Sequence, residues 1–269
     1  MVASNLLLNL MPEEICRELY DVGAEMRLHS GDVVSSAWLD GSYVFIVTAG
    51  IASKFQRSSI GRISEVGMVG REGLFPVSAL LMVHSAPHIV LSQVGELHLL
   101  KLRTKDFHRI IAESEEAQRL FRTYIYAFIT QIATNLLSSE QNDVGVRTAR
   151  WLLMCHDRVD GDVIEVTHEA LAQITFAYRP TITRTLSTMV EAGLIEGARG
   201  RITILSRDGL KEMAEGSYGL AEQYWRAHIG PFGKEFLAEQ QQQPCSGPAF
   251  QAEAAPEFIA EARKMAPRA

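Results

Sequence analysis

The sequence contains little cysteine. Its three cysteines, Cys16, Cys155 and Cys245, are odd in number and lie far apart along 269 residues. This pattern predicts reduced thiols in the cytosol rather than a disulfide framework, so we expect a cytoplasmic protein. An iron–sulfur cluster needs about four thiolate ligands, and the lone Cys16 near the N-terminus cannot supply them.

Long apolar runs are also missing. No run approaches the roughly 20 residues that a membrane-spanning helix needs. The first residues, MVASNLLLNLMPEE, have no basic region and reach acidic residues early. We therefore expect neither an export signal nor a membrane partner.

Basic residues do not predominate overall. Lysine and arginine number 26 against 32 acidic residues, a net charge of −6, which limits non-specific binding to DNA. The segment from Thr167 to Arg207 differs from the rest, because it carries five arginines and three glutamates. An acidic remainder does not forbid a specific DNA site in a mildly basic segment.

Residues 166–205 carry the strongest pattern in the chain. Thr167 can cap a short helix, residues 175–178 form a turn, and Pro180 suits the start of a second helix. Gly193 suits a left-handed cap at the end of that helix. Two β-strands then flank a basic tip, Arg199-Gly200-Arg201. This order predicts a winged helix-turn-helix, whose second helix enters a major groove of DNA.

The outer face of the second helix is rich in arginine and threonine. Arginine can bind guanine edges or phosphates, and hydroxyl groups can bind phosphates. The alternative, two ordinary core helices followed by a hairpin, would not need such a face. The residues predicted to contact DNA are Thr167, His168, Tyr178, Arg179, Thr181, Thr183, Arg184, Arg199 and Arg201.

Short strands with glycine-rich turns are predicted between Met26 and Leu102, which indicates a small antiparallel barrel or jelly roll. The predicted strands are Val33–Val34, Tyr43–Val47, Ile51–Phe55, Ile63–Val66, Ile89–Leu91 and Leu97–Leu102, and a turn is predicted at Ala49-Gly50. The segment from Gly67 to Gly73 lacks the Lys-Ser/Thr of a phosphate-binding loop, so its glycines are interpreted as turn residues. A cupin-type enzyme would need clustered metal ligands here, and His84 and His88 do not form such a set. We expect no enzyme, no metal and no cofactor.

Residues 113–139 predict one long helix. Its apolar residues Phe121, Ile125, Phe128 and Ile132 are spaced four, three and four apart, like a heptad seam. This face could pack on the barrel alone, but a helix of more than six turns with such a seam favours one that also pairs with its twin in a homodimer. Helical segments are expected to Phe236, with Leu220, Tyr224 and Trp225 available for docking, followed by a flexible tail without a specific role.

The combination resembles the Crp/Fnr superfamily of bacterial transcriptional regulators over about residues 12–210. The most specific matches are RTARWLL at residues 147–153 and VTHEALA at residues 166–172, extended by Arg179, Arg184 and the segment 191–195. The resemblance implies an α+β fold with a cyclic-nucleotide-binding-like β-barrel, a long dimerisation helix and a C-terminal winged helix-turn-helix. The expected divisions are residues 1–112, 113–140, 141–210 and an extension and tail at 211–269.

Within that resemblance, Arg179 and Arg184 would contact bases or phosphates, and RNA polymerase is a candidate partner besides double-stranded DNA. Two residues depart from the family pattern at the reading head. Pro180 stands where the family often has a glutamate that accepts from cytosine, and Phe176 stands where glycine is usual. The target therefore should not be the family's usual palindrome.

The barrel departs further from the family's cyclic-nucleotide cassette. Where that cassette has Phe-Gly-Glu and later Arg-Ser, this chain has Phe75-Pro76-Val77 and His84-Ser85. Val77 cannot accept a hydrogen bond from a ribose, and His84 is a weak partner for a phosphate. We expect no cyclic AMP binding in the family's manner, and the effector is unknown.

The sequence therefore predicts a homodimeric, sequence-specific DNA-binding transcriptional regulator. The alternative is an effector-binding regulator that acts through protein contacts and carries a degenerate reading head.

Overall fold

The structure is a computed structural model, and it describes residues 4–34, 41–61, 63–83, 88–141 and 143–234. His84, Ser85, Cys245 and the predicted tail beyond residue 234 lie outside the described residues.

The N-terminal part is an antiparallel sheet with helices around it. Its elements are α1 (Glu13–Val22), β1 (Ala24–Leu28), β2 (Val33–Val34), β3 (Tyr43–Arg57), β4 (Ile63–Val69), β5 (Leu74–Phe75), α2 (Val77–Leu80), β6 (His88–Arg103) and α3 (Thr104–Ile111). In the sheet, β6 lies between β1 and β3, and β4 pairs with the other edge of β3. The short strands β2 and β5 pair with β6 and β3.

The strands β3 and β6 each fuse two strands that the sequence analysis separated. The predicted turn at Ala49-Gly50 is wrong, because Gly50 lies inside β3, where the register against β6 shifts. Gly50 has a φ of +77°, and a Cβ there would come within 2.4 Å of the Glu96 carbonyl oxygen. Only glycine fits such a bulge, which bends the strand without ending it.

The sheet encloses an interior filled by its own side chains. Phe45 and Phe75 are almost completely buried, and their ring centroids lie 5.3 Å apart. Phe128, from a helix outside the sheet, belongs to the same apolar cluster. The interior is therefore a packed aromatic core.

The long helix α4 (Glu115–Gln141) covers this module. Phe121 and Phe128 are each only 5% exposed, because Phe121 packs edge to face on Phe107 and Phe128 packs in the barrel interior. In the predicted seam of Phe121, Ile125, Phe128 and Ile132, Phe121 and Phe128 therefore pack within their own chain, and the role of the seam in pairing stays a prediction. Ile125 and Ile132 are half-buried.

An adjoining face of α4 carries a second apolar stripe. Tyr126, Ile129 and Leu136 are 55%, 53% and 60% exposed, and Ala133 is also exposed. These four residues, which we call the α4 stripe, are spaced three, four and three apart, as in a heptad.

The C-terminal head contains α5 (Val144–His156), β7 (Val163–Ile164), α6 (His168–Ile174), α7 (Arg179–Glu191), β8 (Ile195–Ala198), β9 (Arg201–Ile204) and α8 (Arg207–Met213). The strands β8 and β9 form the predicted hairpin, and β7 adds a third strand on the other edge of β9. Trp151 and Met154 of α5 share an apolar cluster with Phe55 and Met68 of the barrel. The head is thus packed directly on the barrel.

Residues 215–234, here called the C-terminal strap, return from the head to the barrel. Its helix α9 (Leu220–His228) lies along α4, where the rings of Trp225 and Tyr124 are 5.9 Å apart. Trp225 and Phe232 are each 4% exposed and share a core with Leu7 and Leu8. The strap is therefore part of the core, and Trp225 docks there as the helical pattern predicted, whereas the predicted tail lies outside the described residues.

A buried ion network joins the barrel, the head and the strap. Arg158, just after α5, lies 2.8 Å from a Glu72 carboxylate oxygen and 3.8 Å from one of Glu222, and all three side chains are at most 6% exposed. The Arg158 guanidinium also lies over the Phe232 ring, 5.0 Å from its centroid. Burial raises the pKa of Glu222 above its ordinary value, so its ionised form depends on this arginine.

A further carboxyl group outside this network, that of Glu65, lies where β4 meets α5. Glu65 accepts hydrogen bonds from the Ser53 hydroxyl and from the Trp151 indole N–H, the latter at 3.1 Å. Burial raises the pKa of Glu65 to about 7, although both hydrogen bonds oppose that shift. Because the folded pKa lies above the ordinary value of 4.5, ionisation costs folding free energy as the pH rises through 7.

We expect Glu65→Gln to remove this pH dependence. Relative to the variant, the wild type should lose about 2–3 kcal/mol of unfolding free energy between pH 5 and pH 8. Urea denaturation at the two pH values measures the difference, with Glu116→Gln on the exposed face of α4 as control. An equal difference between wild type and Glu65→Gln at both pH values would contradict the assignment.

Candidate nucleic-acid interface

The two helices of the reading head are fixed by local capping and by a narrow apolar face. The Thr167 hydroxyl accepts the Ala170 N–H at 3.1 Å, which starts α6 as predicted. In α7, Ile182, Leu186 and Met189 are buried, with Pro180 in the first turn. Because these apolar residues occupy one face only, the other face of α7 is left to solvent.

The turn between the helices is strained at Phe176. This residue has a φ of +53°, in the left-handed region that favours glycine, and its side chain is 49% exposed. A hydrogen bond from α5 helps to hold the turn, because the Arg147 Nε–H donates to the Thr175 carbonyl oxygen at 3.0 Å. A bulky residue in this conformation costs about 1 kcal/mol or more, so the surrounding contacts must enforce it.

The exposed face of α7 brings together one group of the predicted DNA contacts. Its members, all exposed, are Tyr178, Arg179, Thr181, Thr183 and Arg184. The Arg179 Nε lies 3.9 Å from a Glu169 carboxylate oxygen, but both side chains are more than two-thirds exposed, so this ion pair is weak. Thr183 and the half-buried His168 are linked, with 3.1 Å between Oγ1 and Nδ1, which ties α7 to the start of α6.

The second group lies apart from that face. Arg199 and Arg201 are exposed on either side of Gly200, whose φ of +72° makes the hairpin turn. Together with Thr167 they line an open cleft whose other wall is formed by Ser30, Gly31 and residues 91–93 of the barrel. The predicted contact set is therefore divided between the α7 face and this cleft.

The structure adds two residues that the sequence analysis did not select. Gln173 is exposed on α6 and lines the cleft, and Phe176 is exposed beside the α7 face. The spacing of Gln173 four residues after Glu169 was the available signal, because both then lie on one side of α6.

The described residues contain no group of three or more histidine, cysteine, aspartate or glutamate side chains placed to hold a metal ion. Burial lowers the pKa of His88 to about 4, helped by the nearby Lys54 charge. None of the described helices is both long and apolar enough to span a bilayer.

Comparison with known proteins agrees with this geometry. Residues 146–213 match the family model described as a Crp-like helix-turn-helix domain. The chain is 26% identical over 152 residues to the transcriptional regulator SdrP of Thermus thermophilus, covering 55% of this chain and 69% of that protein.

Solved structures share the whole architecture. A putative transcriptional regulator of the Crp/Fnr family from Eubacterium rectale superposes with a TM-score of 0.59 at 18% identity, covering 79% of this chain and 99% of that one. FixK2 from Bradyrhizobium japonicum superposes with a TM-score of 0.61 at 14% identity, covering 71% and 97%. Identities this low establish the fold alone, namely the predicted α+β arrangement of barrel, long helix and winged head. Residues 146–213 therefore form a Crp-like helix-turn-helix domain, and the curated relative and the shared fold support a transcriptional regulator of the Crp/Fnr type.

Proposed function

We propose that this regulator binds a specific two-fold DNA site as a homodimer, with α7 as its recognition helix. The observation that carries the proposal is the exposed α7 face, where Arg179 and Arg184 stand beside three hydroxyl-bearing residues. Guanidinium groups suit guanine edges and phosphates, and hydroxyl groups suit phosphates. The acidic remainder of the chain disfavours binding elsewhere on DNA.

The α4 stripe supports the dimer. Tyr126, Ile129 and Leu136 are each more than half exposed, and with Ala133 they form a continuous apolar surface at heptad spacing. An isologous contact between two such stripes would bury them around a two-fold axis. The two α7 helices would then enter successive major grooves about 34 Å apart.

The packing of the barrel favours a regulator that responds to an effector other than a cyclic nucleotide bound in the family's manner, or to no effector at all. Phe45, Phe75 and Phe128 fill its interior, and Glu72 is already paired with Arg158. Val77, in α2, has no side-chain acceptor for a ribose hydroxyl.

Selection of bound duplexes from a random pool by the full chain tests the proposal. We expect a two-fold motif, and we expect Arg184→Ala to weaken binding to it by about 10–100-fold for each half-site, the value of one good base contact. The loss should exceed that for Arg119→Ala, an exposed arginine of α4 away from the head.

Binding must also be salt-dependent, because phosphate contacts release counterions. Failure to recover any motif, or equal binding by Arg184→Ala, would contradict DNA reading by α7. The regulator acting through protein contacts would then become the favoured interpretation.

A further inference from the structure

The entrance to α7 carries an exposed aromatic side chain that the fold does not use. Tyr178 is 84% exposed, more than any other large hydrophobic residue that the structure describes. It stands at the N-cap of α7 and makes no side-chain cap hydrogen bond. Serine, threonine, aspartate or asparagine would stabilise the helix at this position, so tyrosine serves neither the cap nor the core.

The groups around Tyr178 make this entrance apolar. Phe176, two residues earlier, is 49% exposed, and Pro180, two residues later, is exposed and has no N–H. Alanine at position 177 adds no hydrogen-bonding side chain. The start of the recognition helix therefore presents apolar side chains, next to the charged side chains of Arg179 and Arg184.

The major groove offers one apolar feature to such a tip. Thymine carries a C5-methyl group there, whereas the other base edges present hydrogen-bond donors and acceptors. We propose that Tyr178 is a specificity-determining residue that reads a thymine methyl group in each half-site. This inference rests on the proposed function, because it requires α7 to lie in the major groove.

The ring and the hydroxyl group of Tyr178 would contact different parts of the DNA. The ring packs on a methyl group and so discriminates thymine from other bases. The hydroxyl could instead bind a phosphate, which carries no sequence information. Removing the hydroxyl alone, or the methyl alone, separates these roles.

The experiment uses the motif obtained by selection with the full chain. Each thymine of the motif is replaced singly by uracil, which lacks only the methyl group, and affinity is measured by fluorescence anisotropy at fixed salt. We expect one thymine per half-site at which uracil weakens wild-type binding about fourfold, as burial of one methyl group gives. Tyr178→Ser should lose this sensitivity, and Tyr178→Phe should keep it.

Three results would overturn the inference while leaving DNA binding intact. They are indifference of the wild type to every uracil, sensitivity retained in Tyr178→Ser, and sensitivity lost in Tyr178→Phe, which would indicate a role for the hydroxyl. Recovery of no motif by the wild type would overturn the proposed function together with this inference. Because Tyr178 is so exposed and serine is a good N-cap residue, neither variant should lower the melting temperature, which is checked by circular dichroism.

Discussion

Replacing both Ile129 and Leu136 with aspartate should convert the dimer into a monomer. These side chains are 53% and 60% exposed in one chain, so the substitutions leave the core of each protomer intact. In the proposed dimer each aspartate would be buried near its symmetry mate without a partner of opposite charge, which is strongly unfavourable. Sedimentation velocity at micromolar concentration measures the change in mass.

The same variant should bind the selected DNA site at least about 100-fold more weakly. The two heads of a dimer bind one site with a high effective concentration, and a monomer loses that advantage. Ile60→Asp, at a more exposed position between β3 and β4, is the control and should remain dimeric. Persistence of the dimer in the double variant would show that the α4 stripe is not the interface.

Phe121→Asp tests whether the dimer forms through the α4 stripe or through the predicted seam that contains Phe121. Phe121 is 5% exposed and packs on Phe107 within its own chain, so this substitution should destabilise the fold. A folded monomer would instead indicate that Phe121 lies at the dimer interface.

The second large effect concerns Arg158→Ala. This change leaves the buried carboxylates of Glu72 and Glu222 without their cation, and we expect a loss of about 3–5 kcal/mol of unfolding free energy. Urea denaturation near pH 7 measures it. Because burial raises the pKa of Glu222, acidification protonates that group first and should restore part of the stability.

A matched variant distinguishes charge burial from packing. Arg158→Met combined with Glu72→Gln and Glu222→Gln removes all three charges while keeping similar volumes, and it should recover most of the lost stability. A loss below about 1 kcal/mol in Arg158→Ala would contradict the importance of the network.

The reading head could be predicted because its signals are local. The cap at Thr167, the proline near the start of α7 and the glycine at position 193 act on their own turns, and the structure places all three as expected. The third strand β7 was missed, because two residues carry too little periodicity to be recognised.

The long helix α4 shows a limit of the apolar heptad pattern as a predictor of contacts. A heptad pattern tells which residues share a face, but α4 has two apolar faces, and only the position of the barrel decides which one is covered. Phe121 and Phe128 contact the barrel, and Ile129 and Leu136 remain exposed. The two large side chains of the predicted seam, Phe121 and Phe128, contribute to the core of their own chain.

The remaining features depend on distant partners. Glu72 and Arg158 are 86 residues apart, and no sequence pattern near either residue predicts their contact. The aromatic residues of the strap were expected to be buried, but the surface that covers them includes the opposite end of the chain.

The strap also constrains how the chain can be made. Leu7 and Leu8 leave the ribosome early, whereas Trp225 and Phe232, which share their core, follow about 220 residues later. The barrel can form as soon as β6 has been synthesised, yet one side of it stays uncovered until the strap arrives. Translation therefore passes through a nascent barrel with exposed apolar surface, the kind of surface that chaperones bind, and core closure is among the last folding events.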